Sequence, residues 1–392
     1  MLRHVVAGLH AGYPAVAIYG PRQSGKTTLS RQSCPALAYV NLESPLERAA
    51  FADDPRGFFT RFPGGAILDE VQNVPELFSF LQVQIDSGSD ARWVLTGSQQ
   101  VELGNEVSQS LAGRVALLEL LPFSLAELVS TPVWPGRFVD AVLKGGYPPL
   151  YDETRVLDPA RWLEDYLGTF VNRDVRQLLD VRNRVAFDRF VRLCAARTAQ
   201  ILNVADLARD AGVDHKTANA WLSVLEACYM IVLVQPHHES FGKRVVKSPK
   251  LFFIDSGLAC RLMNISTTEQ LRLHPLWGAL GETWLAGEVY KARSHRGERP
   301  GLWYWRSGDG IEIDLIIEHG NDLLPIECKV SESPVIDAAK GIRKLRAIAA
   351  ARGRQQVLPG LVLYAGDEAR PISPDRFVPW SQVDAAVTES IR

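Results

Sequence analysis

Gly20, Pro21, Arg22, Gln23, Ser24, Gly25, Lys26 and Thr27 follow the apolar run AVAIYG without interruption and lead into a helix-forming stretch. A loop of this kind lets backbone N–H groups approach phosphate oxygens where no Cβ intervenes, and the following helix points its N-terminus at the negative charge. Lys26 then reaches the β and γ phosphates as a point charge, and the Thr27 hydroxyl joins a magnesium coordination sphere. Thr28 packs or caps beside them. Further along, AILDE is an apolar strand ending in two acids: Asp69 is placed to hold Mg2+ through water and Glu70 to orient the attacking water, or else to be a solvated loop acid. RWVLTGS ends another apolar strand in Thr96, Gly97 and Ser98, where Ser98 can meet the γ-phosphate or simply form a turn. Arg114, in SLAGR, is either an arginine finger or half of a structural ion pair, and Arg22 is a second arginine close to the phosphates. The chemistry expected of this set is binding and hydrolysis of ATP with Mg2+.

A second constellation lies near the C-terminus. Asp314 sits in IEIDLIIE, and twelve residues separate it from Glu327 of IECKV. Side chains two apart on a strand share a face, so Glu327 and Lys329 point one way, and Glu312 shares a face with Asp314. Two carboxylates on adjacent strands beside a lysine suit a divalent-metal phosphodiesterase, in which the acids hold the metal and lysine positions water. Glu282, in the helical stretch before them, offers a third carboxylate. Lys340 and Lys344, four apart on the following helix, can face phosphate together. The bland reading of E-x-K is an exposed strand edge.

The elements that must position these groups fall into three blocks. From 13 to 128, short apolar runs alternate with turns and helical stretches, the pattern of a parallel sheet flanked by helices. The middle block is helical by period at 161–179 and 185–198. It continues into VADLARDAGVDHKTANAWLSVLEACYMIVLV, a helix, a turn at Ala211-Gly212-Val213-Asp214, a second helix and a strand, which is the spacing of a helix-turn-helix with a wing. Arg209, His215, Lys216 and Asn219, with Lys243, Arg244 and Lys247 in the basic hairpin, supply a surface for DNA. The last block returns to strands (LWYWRS, IEIDLIIE, LLPIECKV, LVLYAG) around a basic helix. The fold class is therefore α/β, with expected boundaries at 1–130 for the nucleotide domain, 131–265 for the helical and winged-helix-like region and 266–392 for the nuclease-like domain.

Bulk properties narrow the classes further. The 392 residues are too many for one typical domain, and 46% apolar with 22% charged residues is ordinary for a globular chain. A net charge of −2 leaves any DNA contact to local patches. The five cysteines form no metal-ligand spacing, which suggests buried thiols. With no signal-peptide pattern at the start and no apolar run of the ~18 residues a span needs, the expectation is a cytoplasmic protein without a membrane partner.

Taken together, GPRQSGKTTL, ILDEVQ, LTGSQ, SLAGR, GGYPPL, YLGTFVNRDV, SPKLFFIDSGL, GIEIDLII and IECKV, in this order, resemble a large prokaryotic family of AAA-type ATPases. The C-terminal half of that family is a domain of unknown function related to the PD-(D/E)-x-K restriction-endonuclease fold. The resemblance implies an ATPase core, a winged-helix-like middle and a nuclease-like end, in which Ile313-Asp314 replaces a Pro-Asp pair. Arg173-Asp174 and the stretch from Lys250 to Asp255 look like family hallmarks, for which a buried ion pair is the default role. The function expected is an ATPase that couples nucleotide state to a DNA-binding, DNA-cleaving C-terminal half. The alternative is a nucleotide-dependent switch that binds a protein partner through an inactive nuclease-like scaffold. A trans arginine finger would require a homo-oligomer.

Overall fold

The computed structural model describes residues 2–98, 111–134, 136–178, 184–237, 248–335, 337–352 and 355–391, with backbone alone for 170–178 and 352. The chain forms two compact units. The smaller comprises Met1–Pro122 with two short returning segments, Ala227–Tyr229 and Ser294–Glu298; the larger holds the remainder.

The smaller unit is built on five parallel strands: β1 (Ala15–Tyr19), β2 (Ala38–Asn41), β3 (Ala66–Asp69), β4 (Trp93–Gly97) and β5 (Val115–Glu119). Their order across the sheet is β2-β3-β4-β1-β5. Alternation along β1 explains why these strands read as continuous apolar runs. Ala15 and Ala17 enter a core with Phe51, Phe58 and Trp93, whereas Val16 and Ile18 enter another with Leu2, Val6 and Leu118. Both faces are covered, as parallel sheets require. The returning segments complete this unit: His295 Nε2 accepts from the Leu121 amide at 3.3 Å, and the Tyr229 ring lies 6.3 Å from that of Tyr19.

Among its described residues the larger unit contains ten strands in one sheet: β6 (Gln200–Ile201), β7 (Ile231–Pro236), β8 (Lys250–Phe253), β9 (Leu302–Arg306), β10 (Glu312–His319), β11 (Asp322–Lys329), β12 (Gln356–Val357), β13 (Leu361–Tyr364), β14 (Arg370–Ile372) and β15 (Asp375–Pro379). The helices expected at 161–179 and 185–198 form as Pro159–Leu178 and Arg184–Ala195, and the turn-separated pair forms as Val204–Ala211 and His215–Ala227. Asp214 starts the second of that pair, its carboxylate accepting from the Thr217 amide at 2.9 Å. β8 pairs antiparallel with both β6 and β7, and β7 also pairs in parallel with β9. The strands that flank the Val204–Ala211 and His215–Ala227 helices and the C-terminal strands therefore share one sheet, across the boundary expected near 265. All five cysteines are buried and none forms a disulfide, as their spacing suggested. Among the described residues no helix is long and apolar enough to cross a membrane.

Candidate functional site

The phosphate loop leaves β1 at Gly20, where a Cβ would stand 2.0 Å from the Leu120 carbonyl oxygen, so no other residue fits. The loop ends at Gly25, which takes φ +96° immediately before the Lys26–Ser33 helix. That left-handed turn aims the helix N-terminus back across the loop. Lys26 is 6% exposed, and its ammonium donates to the carbonyls of Gly20 (2.9 Å) and Pro21 (2.7 Å), which hold it over the loop mouth. Inside the loop, the buried Ser24 Oγ has no hydrogen-bond partner among the described residues. Thr28 is exposed on the helix.

Asp69 ends β3, and its carboxylate is the hub of the site. Thr27 Oγ1 donates to Asp69 Oδ2 at 2.8 Å, the Tyr39 hydroxyl donates to the same oxygen at 2.6 Å, and Thr96 Oγ1 donates to Oδ1. The Thr96 oxygen also accepts from the Glu70 amide at 3.3 Å. Burial, with the hydrogen bond to Asp69 next, pushes the Tyr39 hydroxyl well above its usual range, so it remains a donor. Glu70 adopts φ +58°, Asn73 donates to its carbonyl at 3.0 Å, and the Gln72 amide donates to its carboxylate and to Ser98 Oγ (3.4 Å). Tyr39 and Gln72 were not expected from the sequence, and Thr96, expected only at the end of its strand beside Ser98, supports Asp69. The hydroxyl of Thr27 beside the carboxylate of Asp69 is a hard-oxygen pair at a helix N-terminus, a donor set that fits Mg2+. The unpaired Ser24 hydroxyl and the loop amides fit phosphate oxygens.

Arg114 is placed elsewhere. β1 and β5 run in register from Ala15–Val115 to Tyr19–Glu119. Arg114 therefore stands at the start of the strands, roughly 15 Å from the loop at about 3.3 Å per residue. There it forms a bidentate pair with Asp86 at 2.6 and 2.9 Å. The chain does not bring this arginine to its own phosphate loop.

In the larger unit, Asp314 of β10, Glu327 and Lys329 of β11 and Lys250 of β8 meet Glu282 of the Trp277–Ser294 helix. Lys250 Nζ lies 2.6 Å from Glu282 Oε1 as an ion pair and 3.1 Å from Asp314 Oδ1 as a hydrogen bond. Asp314 Oδ2 accepts from the Cys328 amide at 2.9 Å and lies 3.6 Å from Lys329 Nζ, which also donates to Glu327 at 2.9 Å. Burial would raise the Asp314 carboxyl, but Lys250 and then Lys329 hold it well below the usual carboxylate range. Glu282 is pushed up to about 8 by burial and then by Asp314, and Glu327 is raised by the same two causes. Glu312 is not in the cluster: β10 bulges between Ile313 and Ile316 against β9, and the Glu312 carboxylate faces Arg306 at 3.6 Å. Lys344 pairs with Asp309, and Lys340 is exposed on the same helix.

This donor set does not fit a divalent cation. Mg2+ needs oxygens at about 2.0–2.1 Å in an open octahedron, whereas an ammonium stands between Glu282 and Asp314. Among the described residues no group of three His, Cys, Asp or Glu side chains has an arrangement able to hold a metal.

Asp255 has a separate role. It is buried at the start of the Ser256–Leu262 helix and accepts from Leu258 N (3.1 Å) and Gly146 N (2.7 Å), which ties SPKLFFIDSGL to GGYPPL. Lys250 does make the buried ion pair expected of it. Arg173 and Asp174 lie in the Pro159–Leu178 helix.

With this geometry in place, comparison with known proteins gives the family. Residues 12–129 match the AAA domain family, and a domain of unknown function (DUF8612) matches 136–269 and another (DUF4143) 277–383. The uncharacterized proteins Rv2008c of Mycobacterium tuberculosis and Mb2031c of Mycobacterium bovis are each 30% identical over 367 residues, covering 92% of this chain and 78% of theirs. This chain belongs to their family. Its first third is an AAA-type P-loop ATPase domain, and the phosphate loop, Asp69 and Glu70 all lie within the matched residues. Among solved structures, the chain is similar to the Walker-type ATPase PABY2304 of Pyrococcus abyssi. The two are 18% identical with a TM-score of 0.46, over 67% of this chain and 94% of that one.

Proposed function

We propose that this family member is a magnesium-dependent ATP phosphohydrolase whose nucleotide state controls DNA binding by the larger unit. The observation that carries the hydrolytic half is the 2.8 Å contact of Thr27 with Asp69 beside the loop that holds Lys26. The backbone from Gly20 to Gly25, with Pro21, Arg22, Gln23 and Ser24 between them, cradles the phosphates, and Lys26 neutralises charge on the β and γ groups. Thr27 and Asp69 would hold the magnesium ion, which would supply positive charge to the oxygens that become negative during transfer. Glu70 orients the attacking water, Ser98 reaches the γ-phosphate, and Thr28 borders the loop. Arg114 acts in trans, from a neighbouring copy in a homo-oligomer, because its own loop is a strand length away. The test is turnover. Lys26→Ala should lose ATP binding, and Glu70→Gln should bind ATP yet hydrolyse it at least about 100-fold more slowly; wild-type turnover in Glu70→Gln would remove Glu70 from this role.

The DNA half is supported by the order helix, β6, two helices, β7, β8, which is the layout of a winged helix. His215, Lys216 and Asn219 are exposed on the His215–Ala227 helix. Arg209 is partly neutralised by Asp206 at 2.8 Å, and the hairpin residues Lys243, Arg244 and Lys247 lie outside the described residues. Duplex affinity should fall with salt with a slope of about −0.9 per phosphate contacted, and a flat response would end the DNA reading.

Metal-dependent cleavage by Asp314, Glu327 and Lys329 with Glu282 as a further ligand is disfavoured by the lysine between the carboxylates. That observation favours a second reading, in which the nuclease-like fold is an inactive scaffold and the protein is a nucleotide-dependent switch for a protein partner. ATP retained without turnover, and no response to DNA, would select the switch.

A further inference from the structure

We infer that Lys250 stands where this nuclease-like cluster would have to hold a metal ion, so that its ammonium and a divalent cation compete for one position beside Glu282, Asp314 and Glu327. Three carboxylates drawn from a helix and two strands converge in the interior of the larger unit, and such a group persists only with compensating positive charge. In this chain the charge comes from the protein itself. Lys250 Nζ bridges Glu282 at 2.6 Å and Asp314 at 3.1 Å, while Lys329 Nζ covers Glu327 at 2.9 Å and the other Asp314 oxygen at 3.6 Å. A cation bound at about 2.1 Å from oxygens of Glu282 and Asp314 would lie within contact distance of the Lys250 nitrogen, so the two compete for one position.

The lysine cannot easily yield that position. Its residue pairs with Val234 of β7 on one side and Ile201 of β6 on the other, so its backbone is fixed by two strands, and it is 3% exposed. Lys250 arises in the middle block of the sequence, outside the stretch that carries the acids. A sequence motif built from Glu282, Asp314, Glu327 and Lys329 is therefore intact on paper while the site it describes is filled. The inference stands independently of the ATPase reading, because it concerns cation binding in the larger unit without nucleotide.

The experiment is calorimetric titration of the full-length chain with Mn2+ alone, with Asp314→Asn used to assign binding to this cluster and circular dichroism to verify folding. The chain with Lys250 should show no Asp314-dependent Mn2+ site, and folded Lys250→Ala should gain one, at least tenfold tighter, that Asp314→Asn removes again. Asp314-dependent Mn2+ binding with Lys250 in place would overturn the inference, as would a folded Lys250→Ala chain that gains no site. If Lys250→Ala does not fold, the near-isosteric Lys250→Met takes its place in the titration, with the same two outcomes.

Discussion

Thr96 and Tyr39 touch no substrate in the scheme above, yet with Thr27 they are the donors that fix the Asp69 carboxylate. Groups that orient a metal ligand in this way typically change metal affinity or activity by about 10–100-fold when removed. Thr96→Val strips a donor from Asp69 and also the acceptor for the Glu70 amide, so two arms of the site lose a support at once. We expect kcat to fall about 10–100-fold in Thr96→Val, with a higher Mg2+ requirement and little change in ATP affinity measured without metal; Tyr39→Phe should do the same more weakly. Unchanged Mg2+ dependence in both variants would mean that neither hydroxyl is needed to hold Asp69. Lys26, Thr27, Asp69 and Glu70 were legible from sequence because each sits at a fixed offset from a strand end. Tyr39 was not, since it comes from β2 and meets Asp69 only because β2 pairs with β3 in register. Lys250 was legible as a buried ion-pair residue but not as a partner of Glu282 and Asp314, because its approach depends on a sheet that joins distant parts of the chain.

At the scale of elements, the link between SPKLFFIDSGL and GGYPPL shows how a buried carboxylate can hold two segments far apart in sequence. Asp255 caps the Ser256–Leu262 helix and also accepts from the Gly146 amide, while the Tyr151 hydroxyl donates to the Gly145 carbonyl at 2.6 Å. Burial raises the Asp255 carboxyl above its ordinary range, partly offset by these amides and Lys291. Removing it leaves two buried N–H groups without their acceptor, at about 1–3 kcal/mol each when unsatisfied. Asp255→Ala should therefore lower unfolding free energy by at least about 2 kcal/mol in denaturant titration, and Asp255→Asn should recover part of it through its amide oxygen. A loss under about 0.5 kcal/mol in Asp255→Ala would show that the cap is dispensable. Element type was readable along most of the chain, since the helices at Pro159–Leu178 and Arg184–Ala195 follow from their apolar period. Strand order was not: nothing in the local pattern places β4 between β1 and β3, or β9 beside β7, because these pairings depend on which connections can cross the sheet.

For the whole molecule, the division into units does not follow the order of the chain. The expected nucleotide domain ends at 130, and the unit around the phosphate loop does end its main segment at Pro122, but it also takes in Ala227–Tyr229 and Ser294–Glu298. Those segments lie against residues next to the loop. Tyr229 faces Tyr19, the residue before Gly20, and His295 accepts from Leu121, one residue beyond the Leu120 carbonyl that Gly20 must clear. A fragment of residues 1–130 would keep every motif residue from Gly20 to Arg114 and lose both supports. If they are worth about 1 kcal/mol, the fragment should melt about 4 °C below the corresponding transition of the full chain. Its ATP affinity should fall as well, since the loop's flanking strand ends are then free to shift. Thermal unfolding with and without ATP, and equilibrium nucleotide binding, would measure both effects. A fragment matching the full chain in melting temperature and affinity would mean that the returning segments merely rest on a self-sufficient domain; a weakened one would show that they are part of what holds the nucleotide loop in shape within its own unit.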